Sequence, residues 1–301
     1  MLWGIDLGGT KIEGVVLKSA ENPEVMVRKR IPTEQEQGYE HILSQINKLI
    51  KMMSKEVGTT AEKIGIGTPG TLDPKTQTLK NSNTTCYNGQ PFKADLEEII
   101  KMPINIANDA NCFALAEAKM GAVKSQKNDA EVVFGIIMGT GVGGGLVVNG
   151  KIINGRHGIG GEWGHNFLDE SGGKCYCGKV GCVETVISGP FTQQYYTSLT
   201  GQDKHLKEIV DLHEANKDKN ATKTINRLTH FFGKAISVVI DIVDPDVVVI
   251  GGGVGNINYL YTDGVKAAQK FVFNDSLETV FLKPELGDSA GVFGAAMLVA
   301  D

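Results

Sequence analysis

One local pattern occurs twice in this chain and restricts its fold more than any other. It is an apolar strand, a glycine turn with a threonine, and a returning strand. The first copy runs Leu2-Trp3-Gly4-Ile5-Asp6, then Leu7-Gly8-Gly9-Thr10, then residues 11–17. The second runs through residues 132–138, then Gly139-Thr140-Gly141-Val142-Gly143-Gly144-Gly145, then residues 146–148. A repeated supersecondary unit implies two related domains facing one cleft. Around the repeats, residues 24–30, 63–67, 104–107, 247–250 and 279–282 read as strands. Residues 39–55, 95–101, 112–120, 191–196, 206–214, 219–243 and 291–299 read as helices, from apolar spacing and Gly/Pro boundaries. That order predicts an α/β fold with an antiparallel component. The expected domains are 1–120, with the small-residue C-terminal helix 291–301 packing back on it, and 121–290, carrying a special loop at 162–184.

The chain has 301 residues, enough for two such domains, and balances 30 basic against 35 acidic groups for a net charge of −5. That balance gives no electrostatic footprint for nucleic acid. No apolar run reaches membrane-spanning length, so no membrane partner is expected. With a strand starting almost at once and no secretory signal in view, the expected location is the cytoplasm. Five cysteines, an odd number, fit a reducing compartment.

Three of those cysteines fall in one stretch. Glu162-Trp163-Gly164-His165 is followed after nine residues by Cys175-Tyr176-Cys177-Gly178-Lys179-Val180-Gly181-Cys182-Val183-Glu184. His165, Cys175, Cys177 and Cys182 make a Cys₃His set, a common closed arrangement for structural Zn²⁺. Such a site shapes a loop and leaves no open position for a reactive water. Zinc would draw Glu162 and Glu184 together, where they can accept hydrogen bonds from a polyol. The alternatives are a disulfide, for which Cys-x-Cys is badly placed, or buried thiols, the reading that suits the isolated Cys86 and Cys112.

The glycine turns suit phosphate. In the first, Gly8, Gly9 and Thr10 leave backbone N–H groups free, Lys11 adds an amine, and Asp6 can hold Mg²⁺ through water; an ordinary hairpin is the alternative. The second has dinucleotide-type spacing, but it leads into a strand and an Asn149-Gly150 hairpin rather than a helix, which excludes NAD. The third, Gly251-Gly252-Gly253-Val254-Gly255, lets an adenine ring lie against backbone or is a plain exit from a strand. Asn108-Asp109-Ala110-Asn111 follows a strand end, where open α/β sheets bind ligands. Asp109 there is a helix cap or a catalytic base. The polar loop at 81–90 suits hydroxyl recognition or simply faces solvent.

Together these motifs resemble the ROK family of sugar kinases, within the actin/hexokinase-like ATPase superfamily. The matching stretches run in the family's order from residue 4 to about residue 295, and the Cys₃His stretch is the most specific. The resemblance implies two actin/hexokinase-like, ribonuclease H-like α/β domains around a deep cleft, with a zinc-bound loop. It implies phosphoryl transfer from MgATP to the 6-hydroxyl of a hexose. Asp109 becomes the general base. Asn83, Asn108, Asp109, Glu162, His165 and Glu184 become sugar contacts, with His165 also a zinc ligand. Asp6, Gly8, Gly9, Thr10, Lys11, Gly139, Thr140 and Gly141 are expected to hold the phosphates and magnesium, and Gly252 and Gly253 the adenosine. ATP, Mg²⁺ and structural Zn²⁺ are the expected cofactors and a homodimer the expected assembly. Residues 80–83 and 88–92, 161–166 and 175–189 look most like the bacterial fructokinases of the family, which makes D-fructose the expected acceptor. The alternatives are glucose, mannose or an N-acetylhexosamine. A sugar-responsive regulator without turnover and an actin-like scaffold are the rivals from other classes.

Overall fold

The computed structural model describes residues 1–82 and 84–300. In chain order its elements are β1 (Leu2–Leu7), β2 (Lys11–Leu17), β3 (Val25–Pro32), α1 (Tyr39–Val57), β4 (Ile64–Thr68), β5 (Thr71–Leu72), β6 (Leu79–Lys80), α2 (Phe92–Ile100), β7 (Ile104–Asn108), α3 (Asp109–Lys119) and α4 (Ala122–Gln126). There follow β8 (Val132–Met138), β9 (Val142–Val148), β10 (Lys151–Ile152), α5 (Val183–Ile187), α6 (Gly189–Thr200), α7 (Leu206–Glu214), α8 (Lys219–Val243), β11 (Val247–Gly251), α9 (Gly252–Gly255), α10 (Asp263–Gln269), β12 (Val280–Leu282) and α11 (Ala290–Met297). They form two compact units. Unit 1 holds residues 1–125, 145–160 and 285–301, and unit 2 holds 126–144 and 161–284.

In unit 1 the sheet order is β3-β2-β1-β4-β7. β1, β4 and β7 are parallel, and β2 and β3 return antiparallel. Register pairs Asp6 with Gly67 and Thr68 with Asn108, so the carboxyl ends of three parallel strands meet. The core forms because α1 repeats its apolar residues at helical spacing. Ile42, Leu43, Ile46, Leu49, Ile50 and Met53 are buried in one cluster with Trp3, Ile5 and Leu7 of β1. α11, built of small residues, lies on β1, β4 and α3.

The second sheet has the order β10-β9-β8-β11-β12, with β8, β11 and β12 parallel and within unit 2, while β10 and the end of β9 fall in segment 145–160 of unit 1. This repeats the order of the first sheet, hairpin strands on one side and parallel strands on the other. α8 presents Ile225, Leu228, Phe232, Ile236, Val239 and Ile240 on its buried face. Asp218 caps its start by accepting from the N–H groups of Asn220 and Ala221, and it ends at Asp244 before Pro245.

Several boundaries differ from those expected. β9 starts at Val142 rather than 146, because Gly139 N–H donates to Gly141 O (2.9 Å) and closes the turn within three residues. α3 starts at Asp109 rather than 112, and the third glycine turn opens into the short helix α9. The segment 145–160 belongs to unit 1, not to the domain at 121–290. There Gly145 lies against the backbone of Ala110 and Asn111, and Thr71 Oγ1 donates to Gly158 O at 2.7 Å. The short helices α4, α5 and α10 carry too few residues for a periodic signal.

Candidate functional site

Asp6 ends β1 and leads into the first turn, which Gly8 N–H closes on Lys11 O (3.0 Å). Thr33 braces that turn, its hydroxyl donating to Gly8 O (2.7 Å). Gly9, Thr10 and Lys11 follow on the same bend. Burial, then the charges of Asp109 and Glu13, raise the Asp6 carboxyl to about 7 against Lys11 and Arg30. A carboxylate held this way favours a cation beside it, which fits the magnesium of a nucleotide.

The cap of α3 is Asn108, not Asp109. Asn108 Oδ1 accepts from the N–H of Ala110 (2.8 Å) and of Asn111 (3.4 Å). Asp109 occupies the first helical position, exposed, with Oδ1 accepting from Ala110 N–H at 2.8 Å. Its pKa is raised because desolvation by neighbouring protein outweighs the hydrogen bonds from Ala110 and Asn108. One edge of its carboxyl is left exposed. Close to these strand ends, Thr68 Oγ1 and Asn111 Oδ1 are buried with no hydrogen-bond partner among the described residues. Asn83 lies outside the described residues. The loop before and after it is stapled by Asn88, whose side chain accepts from Ser82 N–H and donates to Ser82 O, both at 2.9 Å.

In unit 2, His165, Cys175, Cys177 and Cys182 converge. Their ligand atoms all lie within 4.8 Å of one another, with Cys175 Sγ 3.6 Å from His165 Nδ1 and Cys177 Sγ 3.6 Å from Cys182 Sγ. Tetrahedral donors on a zinc ion, at about 2.3 Å for sulfur and about 2.0 Å for nitrogen, sit roughly 3.5–3.8 Å apart. The donor set therefore fits Zn²⁺, and all three cysteines are free of disulfides. The hairpin that presents them is closed by Cys175 N–H on Lys179 O (2.8 Å). Burial pushes the thiols of Cys175 and Cys182 up, Cys182 to about 12. At Cys177 hydrogen bonds from Lys179 N–H and the two neighbouring cysteines outweigh burial and lower it.

Glu162 precedes the turn Trp163–His165, which Trp163 anchors. That indole is buried, stands edge-on to Phe134 and donates from Nε1 to Gly143 O (3.1 Å). Glu184 is fixed to the second glycine turn. Its Oε2 accepts from Val142 N–H (2.9 Å), and a Cβ on Gly141 would stand 2.5 Å from the same oxygen. Tyr176, absent from the expected site residues, joins this group. Its hydroxyl lies 2.9 Å from His165 Nε2, and although the ring is largely exposed, desolvation by neighbouring groups with the charges of Glu184 and Glu162 pushes it up to about 12. Its position between two cysteines of the candidate metal cluster was the available signal.

A cavity of unit 2, about 720 Å³, is lined by Gly139 and Thr140 of the second turn and by Gly253 and Val254 of the third. α6 and α7 supply walls that no motif had marked, among them Gln193, Leu206 and Val210. Gly252 has φ +82° and its missing Cβ would strike Met138 O, so only glycine fits there. The cavity unites the second and third turns, in a volume typical of small-ligand sites.

Two α/β units of one strand order, a first hairpin in each closed by a glycine turn, and a Cys₃His loop define a hexokinase-like protein. Residues 2–301 match the ROK family. The chain is 36% identical over 308 residues to an N-acetyl-D-glucosamine kinase of Aliivibrio salmonicida, covering 99% of both. Among solved structures it is similar to a ROK hexokinase from Thermus thermophilus, with a TM-score of 0.86, 30% identity, and 99% and 97% of the two chains covered. It is also similar to a ROK family glucokinase from Streptomyces griseus in complex with glucose and AMPPNP, with a TM-score of 0.77, 26% identity, and 99% and 98% covered. The chain belongs to the ROK family.

Proposed function

We propose that this protein is an ATP-dependent sugar kinase that transfers the γ-phosphoryl group of MgATP to the 6-hydroxyl of a hexose, with N-acetyl-D-glucosamine as the preferred acceptor. The observation that carries the mechanism is the division of labour at α3. Asn108 caps the helix and leaves one edge of the Asp109 carboxyl open to solvent. A hexose hydroxyl is a poor nucleophile until its proton leaves, and Asp109 takes it as the bond to phosphorus forms. Asp6 sits beside the magnesium of MgATP. Gly8, Gly9, Thr10, Lys11, Gly139, Thr140 and Gly141 receive phosphate oxygens, and the 720 Å³ cavity with Gly252 and Gly253 takes adenosine. Asn83, Asn108, Glu162, His165 and Glu184 hold sugar hydroxyls. The zinc, when bound by His165, Cys175, Cys177 and Cys182, supplies structural order and no reactive water.

The acceptor is argued from relatives such as the Aliivibrio salmonicida enzyme, aligned over 99% of both chains. This displaces fructose from first place. Fructose remains the second reading, favoured by the resemblance of residues 80–92 and 161–166 to fructokinases. A coupled ADP-release assay over N-acetylglucosamine, N-acetylmannosamine, fructose, glucose and mannose decides it. A kcat/KM for fructose above that for N-acetylglucosamine reverses the order, and no sugar-dependent ADP release sinks the kinase reading in favour of a regulator. No helix among the described residues is long and apolar enough to cross a membrane. A cytoplasmic homodimer is the proposed working form, tested by fractionation and light scattering.

A further inference from the structure

Unit 1 carries a cavity of about 960 Å³ that none of the residues assigned above lines. Four lysines from four elements surround it: Lys93 of α2, Lys119 of α3, Lys124 of α4 and Lys151 of β10. Lys93 is shared with Glu97 at 4.0 Å, but Lys119, Lys124 and Lys151 have no carboxylate within salt-bridge distance among the described residues. The Lys119 ammonium lies over Gly150, the residue before Lys151. Glu21 is the single acidic residue of the lining, in a chain whose net charge is −5. Ile106, Leu115 and Leu298 give the cavity an apolar floor, and Asn149 and Asn154 add amides at the hairpin.

From this we infer that the cavity is a binding site for a phosphorylated sugar, distinct from the residues proposed for catalysis. Like charges gathered around one concavity repel, and a dianion relieves that repulsion. Lysine ammoniums bind phosphate as point charges, and several around one concavity suit a group that carries two negative charges. The volume suits a ligand larger than phosphate alone, with the asparagine amides available to hydroxyls.

Calorimetric titration of the full chain with glucose 6-phosphate and with inorganic phosphate tests this, alongside Lys119→Gln/Lys151→Gln. Wild type is expected to bind the sugar phosphate at least tenfold more tightly than inorganic phosphate. The double variant is expected to lose about tenfold or more in affinity, the scale of a charged hydrogen bond. Product bound at the catalytic residues would be unchanged by the double substitution, so only the loss reports this cavity. Met120 and Met297 also line it. Their ¹³C-methyl signals are expected to shift with the sugar phosphate in wild type and not in the variant. Identical isotherms for the two proteins, static methionine signals, or equal affinity for inorganic phosphate overturns the assignment. The test reads binding alone, so it stands or falls independently of the kinase reaction.

Discussion

Asp109→Asn separates chemistry from structure more cleanly than any other change. Because the cap is Asn108, whose Oδ1 holds the N–H groups of Ala110 and Asn111, the helix start survives the substitution. What is lost is a negative charge at the first helical position, worth about 0.3–1 kcal/mol to the helix dipole. That loss is offset, because the raised pKa of Asp109 means its charged form is disfavoured in the fold. The net stability change is expected to stay within about 1 kcal/mol, a Tm shift of roughly 2–4 °C for units of this size. The rate effect is of another order. Loss of a general base costs on the order of 10²–10⁴ in kcat, roughly 3–5 kcal/mol of barrier. The assay is ADP release at saturating sugar and MgATP, with Tm measured on the same preparations. In wild type, kcat is expected to fall on the acid side at a pH above the ordinary carboxylate range, as Asp109 protonates, and that limb is expected to vanish in the variant. Asn108→Ala is the control: losing the cap costs about 0.5–2 kcal/mol of stability. Turnover by Asp109→Asn within tenfold of wild type refutes the reasoning and moves the proton acceptor elsewhere.

Elemental analysis of protein purified without added metal is expected to find about one zinc per chain. Cys182→Ser should lower zinc content and Tm together, because closing the loop depends on the ion; full stability with no zinc would contradict this. Asp6→Asn tests the raised carboxyl. A folded pKa near 7 against 3.8 means stability is lost as pH rises through that window, so the variant should melt higher than wild type at pH 8 and equally at pH 4. Gly252→Ala, at φ +82° and against Met138 O, should raise the KM for ATP more than the KM for sugar; equal KM values would remove the third turn from the nucleotide site. Tyr176→Phe removes the hydroxyl beside His165 Nε2 and should change the sugar KM about 2–10-fold with zinc retained, as atomic absorption and initial rates can show.

Much of this was legible because it is periodic or compositional. The apolar spacing of α1 and α8 and the duplicated strand–turn–strand unit needed no tertiary information. The Cys₃His set was readable because metal ligands must be of few types and close in space. What escaped depends on backbone geometry. Whether Asn108 or Asp109 caps α3 is decided by one residue's φ and ψ, and both side chains are competent caps. The place of segment 145–160 in unit 1 follows from Gly145 lying on Ala110 and Asn111, a packing contact without a local pattern. Tyr176 was masked by its neighbours, since the eye assigns Cys-x-Cys to the metal and its middle residue to filler. The acceptor sugar stayed out of reach because rejection of an N-acetyl group rests on the shape around a few atoms.

Glu184 gives these parts a mechanical order. It stands two residues after Cys182 of the candidate metal cluster, in the first turn of α5, and accepts from Val142 N–H immediately after the second glycine turn. The same turn is held from the other side, where Gly189 N–H at the start of α6 donates to Gly139 O at 2.9 Å. α5 and α6 meet at Ser188, so one continuous stretch from Cys182 to Gly189 grips the turn at both ends. Gly139 and Thr140 in turn line the cavity assigned to the nucleotide. A cation that fixes Cys182 would also fix Glu184 and, through its hydrogen bond to Val142 N–H, the backbone after the second glycine turn, which is proposed to receive phosphate. A Cβ on Gly141 would stand 2.5 Å from that oxygen, so a side chain there would push the Glu184 carboxylate away from Val142 N–H. On the proposed reading, an ion held by the Cys₃His set would bear on both substrates, the sugar through His165 and Glu184 and the nucleotide through Val142 and the turn it closes.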